Sequence, residues 1–259
     1  MAPLKFCANI TWLFTELQEL QEFMQRMHAA ARAGFRAERV KKDELTGLEF
    51  ALINTPPNIN AGDLGLAAVP GRGQEFRQGL DLAVQYAKAL DCRRIHLMVG
   101  RVPAGADRCT VAMEMEDTFV QNLKHAAGVL SKEGILGLIE PINIRITDPQ
   151  YFLDSPHQAA VVLQRVAHPS IRMQMGTHVF CKNLVICPFS LLSSAFSHIH
   201  IAQVPDRHEP DSDGELSFSN LFKLLEELDY QDYIGWEYKP QRSTEACLDW
   251  LRRYWSSRN

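Results

Sequence analysis

The chain has 259 residues, 46% of them hydrophobic, which is ample for one sizeable core and within the range of a single α/β barrel. A net charge of −4 and a pI near 6.1, with Lys and Arg spread along the sequence, argue against a nucleic-acid or anionic-membrane partner. The six cysteines include no C-x-x-C pair, so a zinc knuckle or redox couple is not expected; reduced thiols in a cytoplasmic protein are. Glu16, Glu19 and Glu22 arrive where a secretory leader would carry its apolar core. No uncharged run reaches the roughly 18 apolar residues of a membrane span.

Lys5–Ile10 reads as a first strand. Thr15–Ala33 carries apolar residues at helical spacing (Leu17, Leu20, Phe23, Met24, Met27) and ends at Gly34. Phe50–Asn54 is a second strand, closed by Thr55-Pro56-Pro57. Gln74–Leu90 is an amphipathic helix with Phe76, Leu80, Ala83, Val84, Ala87 and Leu90 on one face. Arg94–Val99 reads as a strand, Glu114–Leu130 as a helix and Ile135–Ile139 as a strand. Ser155-Pro156 opens a helix over His157–Val166. Ile171–Met175 and His198–Ala202 are further strands, followed by a helix over Phe218–Leu228. A strand at Tyr233–Trp236 and a helix over Thr244–Arg253 end the series.

Strands alternating with helices of this length predict βαβ units on a parallel sheet. Seven strands are one short of an eightfold barrel, and no linker or short repeat divides the chain, so residues 1–259 are expected to form one domain. Two stretches break the rhythm. Only 15 residues separate Gly34 from Phe50, too few for a βα unit, and they carry the charged run Glu38–Glu44. Gly176–Ser197 has no clear period.

The most informative positions are two glutamates that each follow a buried-strand run. Gly134–Ile139 leads into Glu140-Pro141-Ile142-Asn143, and Asp232–Trp236 leads into Glu237-Tyr238-Lys239-Pro240. The proline just beyond each glutamate cannot donate to a sheet ladder and marks the strand end. In parallel α/β proteins that end is where ligands bind. Two carboxylates placed there can hold a divalent metal, share acid/base work, or both. They can equally be ordinary surface glutamates. In His198-Ile199-His200-Ile201-Ala202, His200 is either a ligand or a satisfied interior histidine. Arg207, among Asp206, Glu209 and Asp211, could by itself be a solvated loop charge. Asn9, Asn54 and His96 are weaker candidates. Trp236, Trp250, Trp255 and Tyr254 read as packing.

At Glu140-Pro141-Ile142-Asn143 and Gly235-Trp236-Glu237-Tyr238-Lys239-Pro240 the chain resembles the hydroxypyruvate isomerase family of xylose-isomerase-like TIM barrels. Phe6-Cys7-Ala8-Asn9, Ile53–Pro57, Val69-Pro70-Gly71-Arg72 and Gln203–Pro210 support the likeness. The resemblance implies a (β/α)8 barrel, incomplete around the second βα unit. It implies interconversion of hydroxypyruvate and tartronate semialdehyde through a metal-stabilised enediolate. It also implies Glu140 and Glu237 as the acid/base pair, Glu140, His200 and Glu237 as ligands of Mg²⁺ or Mn²⁺, and Arg207 as a substrate contact. A small hydroxy-keto acid is then the partner. Oxygen ligands suit Mg²⁺ or Mn²⁺, and Mn²⁺ also accepts imidazole.

The departures are specific. The family carries an aspartate after its Met-Gln-Met-like strand and a histidine three residues later; here Gly176 and Val179 stand at those positions. His178 is off register by one. Residues 176–197 bear no likeness to the family. A skipped exon with a retained intron, or an error in gene prediction, would produce such a pattern. Two competing functions remain: a keto-sugar epimerase or isomerase of the same superfamily, and a catalytically impaired relative with a binding role. The apolar residues of this segment lack a 3.6- or 2-residue period, so it is expected to pack poorly, and with no aspartate or glutamate between Gly176 and Ser197 it is expected to disable the metal site.

Overall fold

The expected strands form, with shifted ends, in the computed structural model, which describes residues 4–15, 23–33, 35, 48–56, 63–145, 147–177 and 196–256. The strands are β1 Lys5–Ala8, β2 Ile53–Asn54, β3 Arg94–His96, β4 Leu136–Ile139, β5 Ile171–Gly176, β6 Phe196–Ile201 and β7 Tyr233–Trp236. The helices are α1 Phe23–Arg32, α2 Gly73–Ala89, α3 Arg108–Glu133, α4 Pro156–Val166, α5 Phe218–Glu227 and α6 Asp249–Ser256, the last preceded by a 3₁₀ turn at Glu245–Leu248. The charge run Glu38–Glu44 and residues 178–195 lie outside the described residues.

The chain divides into two compact units: Met1–Glu49 with Gly176–Asn259, and Phe50–Met175. In the second unit β2, β3, β4 and β5 are neighbours in that order, all parallel. His96 pairs with Leu138, and Ile139 with Met173, so the C-terminal strand ends are aligned. Helix α3 starts six residues before the expected Glu114, because Asp107 caps it by accepting from the Thr110 N–H at 3.0 Å. It ends at Gly134, whose φ of +64° is the left-handed cap geometry that glycine adopts without penalty. Its buried face runs through Met115, Phe119, Leu123, Ala126 and Leu130. Ser155 caps α4, with Pro156 in its first turn.

In the first unit β7 lies between β1 and β6, again all parallel. Phe6 from β1 meets Phe222, Trp236, Trp250 and Tyr254 edge-on, with centroid distances of 5.3–6.0 Å. That aromatic cluster confirms the packing role expected of Trp236, Trp250 and Tyr254. Strand β1 is shorter than expected because the chain turns at once: Trp12 and Leu13 both donate to the Asn9 carbonyl at 3.0 Å. Thr177, just past β5, closes on the end of β6. Its Oγ1 donates to the Ala202 carbonyl at 2.9 Å and accepts from the Ala202 N–H at 3.0 Å. Among the described residues no helix is long and apolar enough to cross a membrane.

Candidate active site

Glu237 is the first residue beyond β7, and its N–H donates to the Ile201 carbonyl at 3.1 Å. That bond fixes it against the end of β6. Its carboxylate is held from two sides. Asn9, the first residue beyond β1, donates through Nδ2 to Oε1 at 3.2 Å. Asn9 is itself oriented, since its Oδ1 accepts from Thr11 N at 3.1 Å and Thr11 Oγ1 at 2.6 Å. Arg207 donates through Nη2 to Oε2 and through Nε to the Glu237 carbonyl at 3.2 Å. The Arg207 guanidinium lies over the Trp12 ring, 4.1 Å from its centroid.

His200 sits on β6 opposite Gly235 of β7. Its Nδ1 is 3.7 Å from Glu237 Oε2, beyond hydrogen-bond range but close enough for both atoms to ligate one ion. His198 packs edge-on against His200 at 4.7 Å, and both are buried. Glycine at 235 is required by this pair, since a Cβ there would stand 2.7 Å from His198 Nε2 and 2.8 Å from His200 Cδ2.

The loop carrying Arg207 is braced by the buried side chain of Gln203. Its Oε1 accepts from Val204 N at 3.0 Å and Leu216 N at 2.9 Å, and its Nε2 donates to the Leu216 carbonyl at 3.0 Å. Arg207 itself has φ +59°, a region that side-chain-bearing residues rarely adopt. It is held there by its N–H on the Gln203 carbonyl at 3.0 Å and by Lys239 N on its own carbonyl at 2.7 Å.

In the other unit Glu140 is the first residue beyond β4 and is buried. Gln174 of β5 donates through Nε2 to Glu140 Oε2 at 2.7 Å. Buried Gln174 Oε1 has no hydrogen-bond partner among the described residues. Gly176 falls on the same strand face as Gln174 by alternation. The Tyr151 hydroxyl accepts from Val99 N at 3.0 Å; burial pushes its pKa well above the ordinary tyrosine value, with the charges of Glu140 and Asp148 adding to the rise. It is a neutral group at any working pH.

The first unit thus brings together Glu237, His200, Arg207 and Asn9. The second places Glu140 at the corresponding strand end. His96 is buried on β3 and Asn54 is exposed at the end of β2. Sequence reasoning missed Trp12 and Gln174. The first lies in a turn without periodicity. The second could have been sought as a neighbour of Glu140, because the strand after β4 must run beside it.

A family model described as Xylose isomerase-like TIM barrel matches residues 13–254. A protein of Danio rerio named as a candidate hydroxypyruvate isomerase is 69% identical over 275 aligned positions, covering 100% of this chain and 98% of the relative. The hydroxypyruvate isomerase of Escherichia coli is 35% identical, covering 97% and 99%. A 2-oxo-tetronate isomerase of Haemophilus influenzae is 34% identical, covering 96% and 99%. Among solved structures, an AP endonuclease family 2 protein from Brucella melitensis superposes with a TM-score of 0.86 at 36% identity, covering 97% of this chain and 99% of that one.

Proposed function

The chain belongs to the xylose isomerase-like TIM barrel family and is an isomerase, and on that footing we propose that it interconverts hydroxypyruvate and tartronate semialdehyde. The observation that carries this reading is the setting of Glu237. It is a carboxylate at a strand end, 3.7 Å from a buried imidazole and paired with a cation suited to a substrate carboxylate. In a parallel barrel the strand ends that present Glu237, His200 and Glu140 are where chemistry is done.

One carboxylate removes a proton from C3 of hydroxypyruvate, leaving an enediolate across C2 and C3. The other carboxyl returns a proton to C2 while the hydroxyl proton passes from O3 to O2, giving the aldehyde at C3. Arg207 faces the substrate carboxylate with its planar fork. Asn9 and Arg207 hold Glu237 in one orientation throughout, and Gln174 does the same for Glu140.

The donor set of two carboxylates and an imidazole suits Mn²⁺, and Mg²⁺ through the oxygens. Glu140, His200 and Glu237 would hold the ion. When bound it supplies positive charge for the oxygens that become negative during proton transfer. A longer 2-oxo acid is the second reading, favoured by the likeness to the 2-oxo-tetronate isomerase.

The test is turnover by the purified protein, with Mn²⁺ or Mg²⁺ added and again after chelation. Hydroxypyruvate, 2-oxo-tetronate and a ketohexose are compared. The proposal expects the three-carbon acid to give the highest kcat/KM and chelation to abolish it. Preference for the four-carbon acid would establish the second reading. No turnover of any of them with either metal would end both.

A further inference from the structure

We propose that Trp12 is a positioning residue whose indole face fixes the Arg207 guanidinium and thereby selects substrates that carry a carboxylate. The proposal rests on the reading of Arg207 as the carboxylate clamp and goes beyond it, because Trp12 is given a role of its own.

The geometry is unusually constrained for a surface turn. Trp12 lies in the turn after β1, closed by its own N–H on the Asn9 carbonyl at 3.0 Å. Downstream, Phe14 is buried and its N–H donates to Thr244 Oγ1 at 2.8 Å. Upstream, Arg26 of α1 donates through Nη1 to the Ile10 carbonyl at 3.3 Å. The turn is thus tied on both sides of Trp12, and the indole is held where it is. Arg207 is equally fixed at its backbone, in a left-handed conformation gripped by Gln203 and Lys239. Its long side chain is the part left with freedom to swing.

Two contacts remove that freedom. Nε and Nη2 are spent on the carbonyl and carboxylate of Glu237. Those bonds set the plane of the fork from one edge only. The Trp12 ring at 4.1 Å covers one face of that plane. A guanidinium stacked on an aromatic face is held by the ring quadrupole, more strongly when desolvated, and the Arg207 side chain is only 15% exposed. Among the described residues Nη1 has no hydrogen-bond partner, so its N–H donors remain for an incoming acceptor. Glu237 neutralises the cation, so the site does not gather anions indiscriminately. Recognition then depends on how well the Nη1 edge is aimed, and that is what Trp12 controls. A neutral substrate makes no demand on that edge.

The experiment compares the parent protein with Trp12→Leu, Trp12→Phe and Arg207→Gln in the presence of Mn²⁺. Calorimetric titrations use pyruvate as a carboxylate-bearing probe that has no carbinol to isomerise, and hydroxyacetone as an uncharged one. Trp12→Leu should weaken pyruvate binding about tenfold and leave hydroxyacetone binding within about twofold. Trp12→Phe, which keeps an aromatic face, should stay within about threefold of the parent for both probes. With hydroxypyruvate as substrate, KM should rise in Trp12→Leu while kcat changes little. Unchanged hydroxyacetone binding shows that Trp12→Leu is folded. If Trp12→Leu weakens the two probes equally, or Trp12→Phe is as weak as Trp12→Leu, the indole only packs the turn and the proposal is wrong. If Arg207→Gln loses pyruvate binding and Trp12→Leu does not, Arg207 stands as the clamp and the role of Trp12 falls. If neither variant discriminates between the probes, the reading of Arg207 falls with it.

Discussion

Both carboxylate oxygens of Glu237 have a donor, Asn9 on one side and Arg207 on the other, so the group is held ready rather than left to solvent. Replacing Glu237 or Glu140 by Gln preserves shape and removes the carboxylate. Each change should lower kcat for hydroxypyruvate by about 10²-fold or more, the usual scale of acid–base catalysis, and near-parental turnover in either variant would end their assignment as the pair. Gly235 is a second residue whose identity the site dictates. In Gly235→Ala the new methyl meets His198 and His200 below 3.0 Å, so the histidines must shift. Mn²⁺ affinity, read by calorimetry, should then fall by about tenfold, as when the support of a metal ligand is lost. An unchanged affinity would mean that His200 is not a ligand. Glu140, His200, Glu237 and Arg207 were legible as candidates because each sits at or just past the end of an apolar run. The groups that hold them were legible only in part: Asn9 was a weaker candidate as a strand-end residue, Gln174 was not one, and the pairing of either with its glutamate was not readable. Asn9 and Glu237 are 228 positions apart, and nothing in either local sequence announces the other.

At the scale of elements, the strands among the described residues overlap the expected apolar runs, but their ends differ: β3 stops at His96, short of the expected Val99, and β6 starts at Phe196, before the expected His198. The helices were placed less well. The start of α3 depends on a single cap, Asp107, which precedes the visible periodicity. The expected last helix is interrupted by a 3₁₀ turn in which Cys247 N reaches both Ser243 and Thr244 carbonyls. Strand ends also depend on side chains that periodicity does not report. Thr177 is the clearest case, because its hydroxyl serves both the carbonyl and the N–H of fully buried Ala202. Thr177→Val keeps the volume and removes both bonds, leaving two buried backbone groups without this partner. The expected loss is about 2 kcal/mol, measured by denaturant unfolding, and a loss below about 0.5 kcal/mol would show that water or a backbone shift replaces the hydroxyl. Inside the other unit Gly137 plays the steric counterpart. A Cβ there would lie 2.8–2.9 Å from Leu130, Leu97 and Ile171, so Gly137→Ala should destabilise by about 1–3 kcal/mol through overpacking.

Over the whole molecule, the likeness covers almost all of this chain and of its relatives, yet the alignment leaves gaps on this side. The alignment with the Danio rerio protein runs to 275 positions against 259 residues here, so at least 16 of those positions have no counterpart in this chain. The short interval between Gly34 and Phe50 is where the sequence has no room for a full βα unit. The other anomaly is residues 176–197, which begin with Gly176 where an aspartate was expected. It contains no carboxylate, so on the proposed assignment it adds no charged ligand to Glu140, His200 and Glu237, and the ion should bind more weakly than with a fourth, charged ligand. Strand β5 supplies the geometric argument. Gln174 reaches Glu140, and position 176 lies on the same strand face two residues on. We therefore predict that a chain bearing Gly176→Asp, together with a relative's segment from there to Ser197, will bind Mn²⁺ about tenfold more tightly or better and isomerise hydroxypyruvate faster than this one. The segment is exchanged along with the single residue because no aspartate or glutamate lies anywhere between Gly176 and Ser197. Calorimetry with Mn²⁺ and steady-state turnover read the two consequences separately. A chimera that folds, binds Mn²⁺ no better and turns over no faster would show that residues 176–197 are not what limits the site.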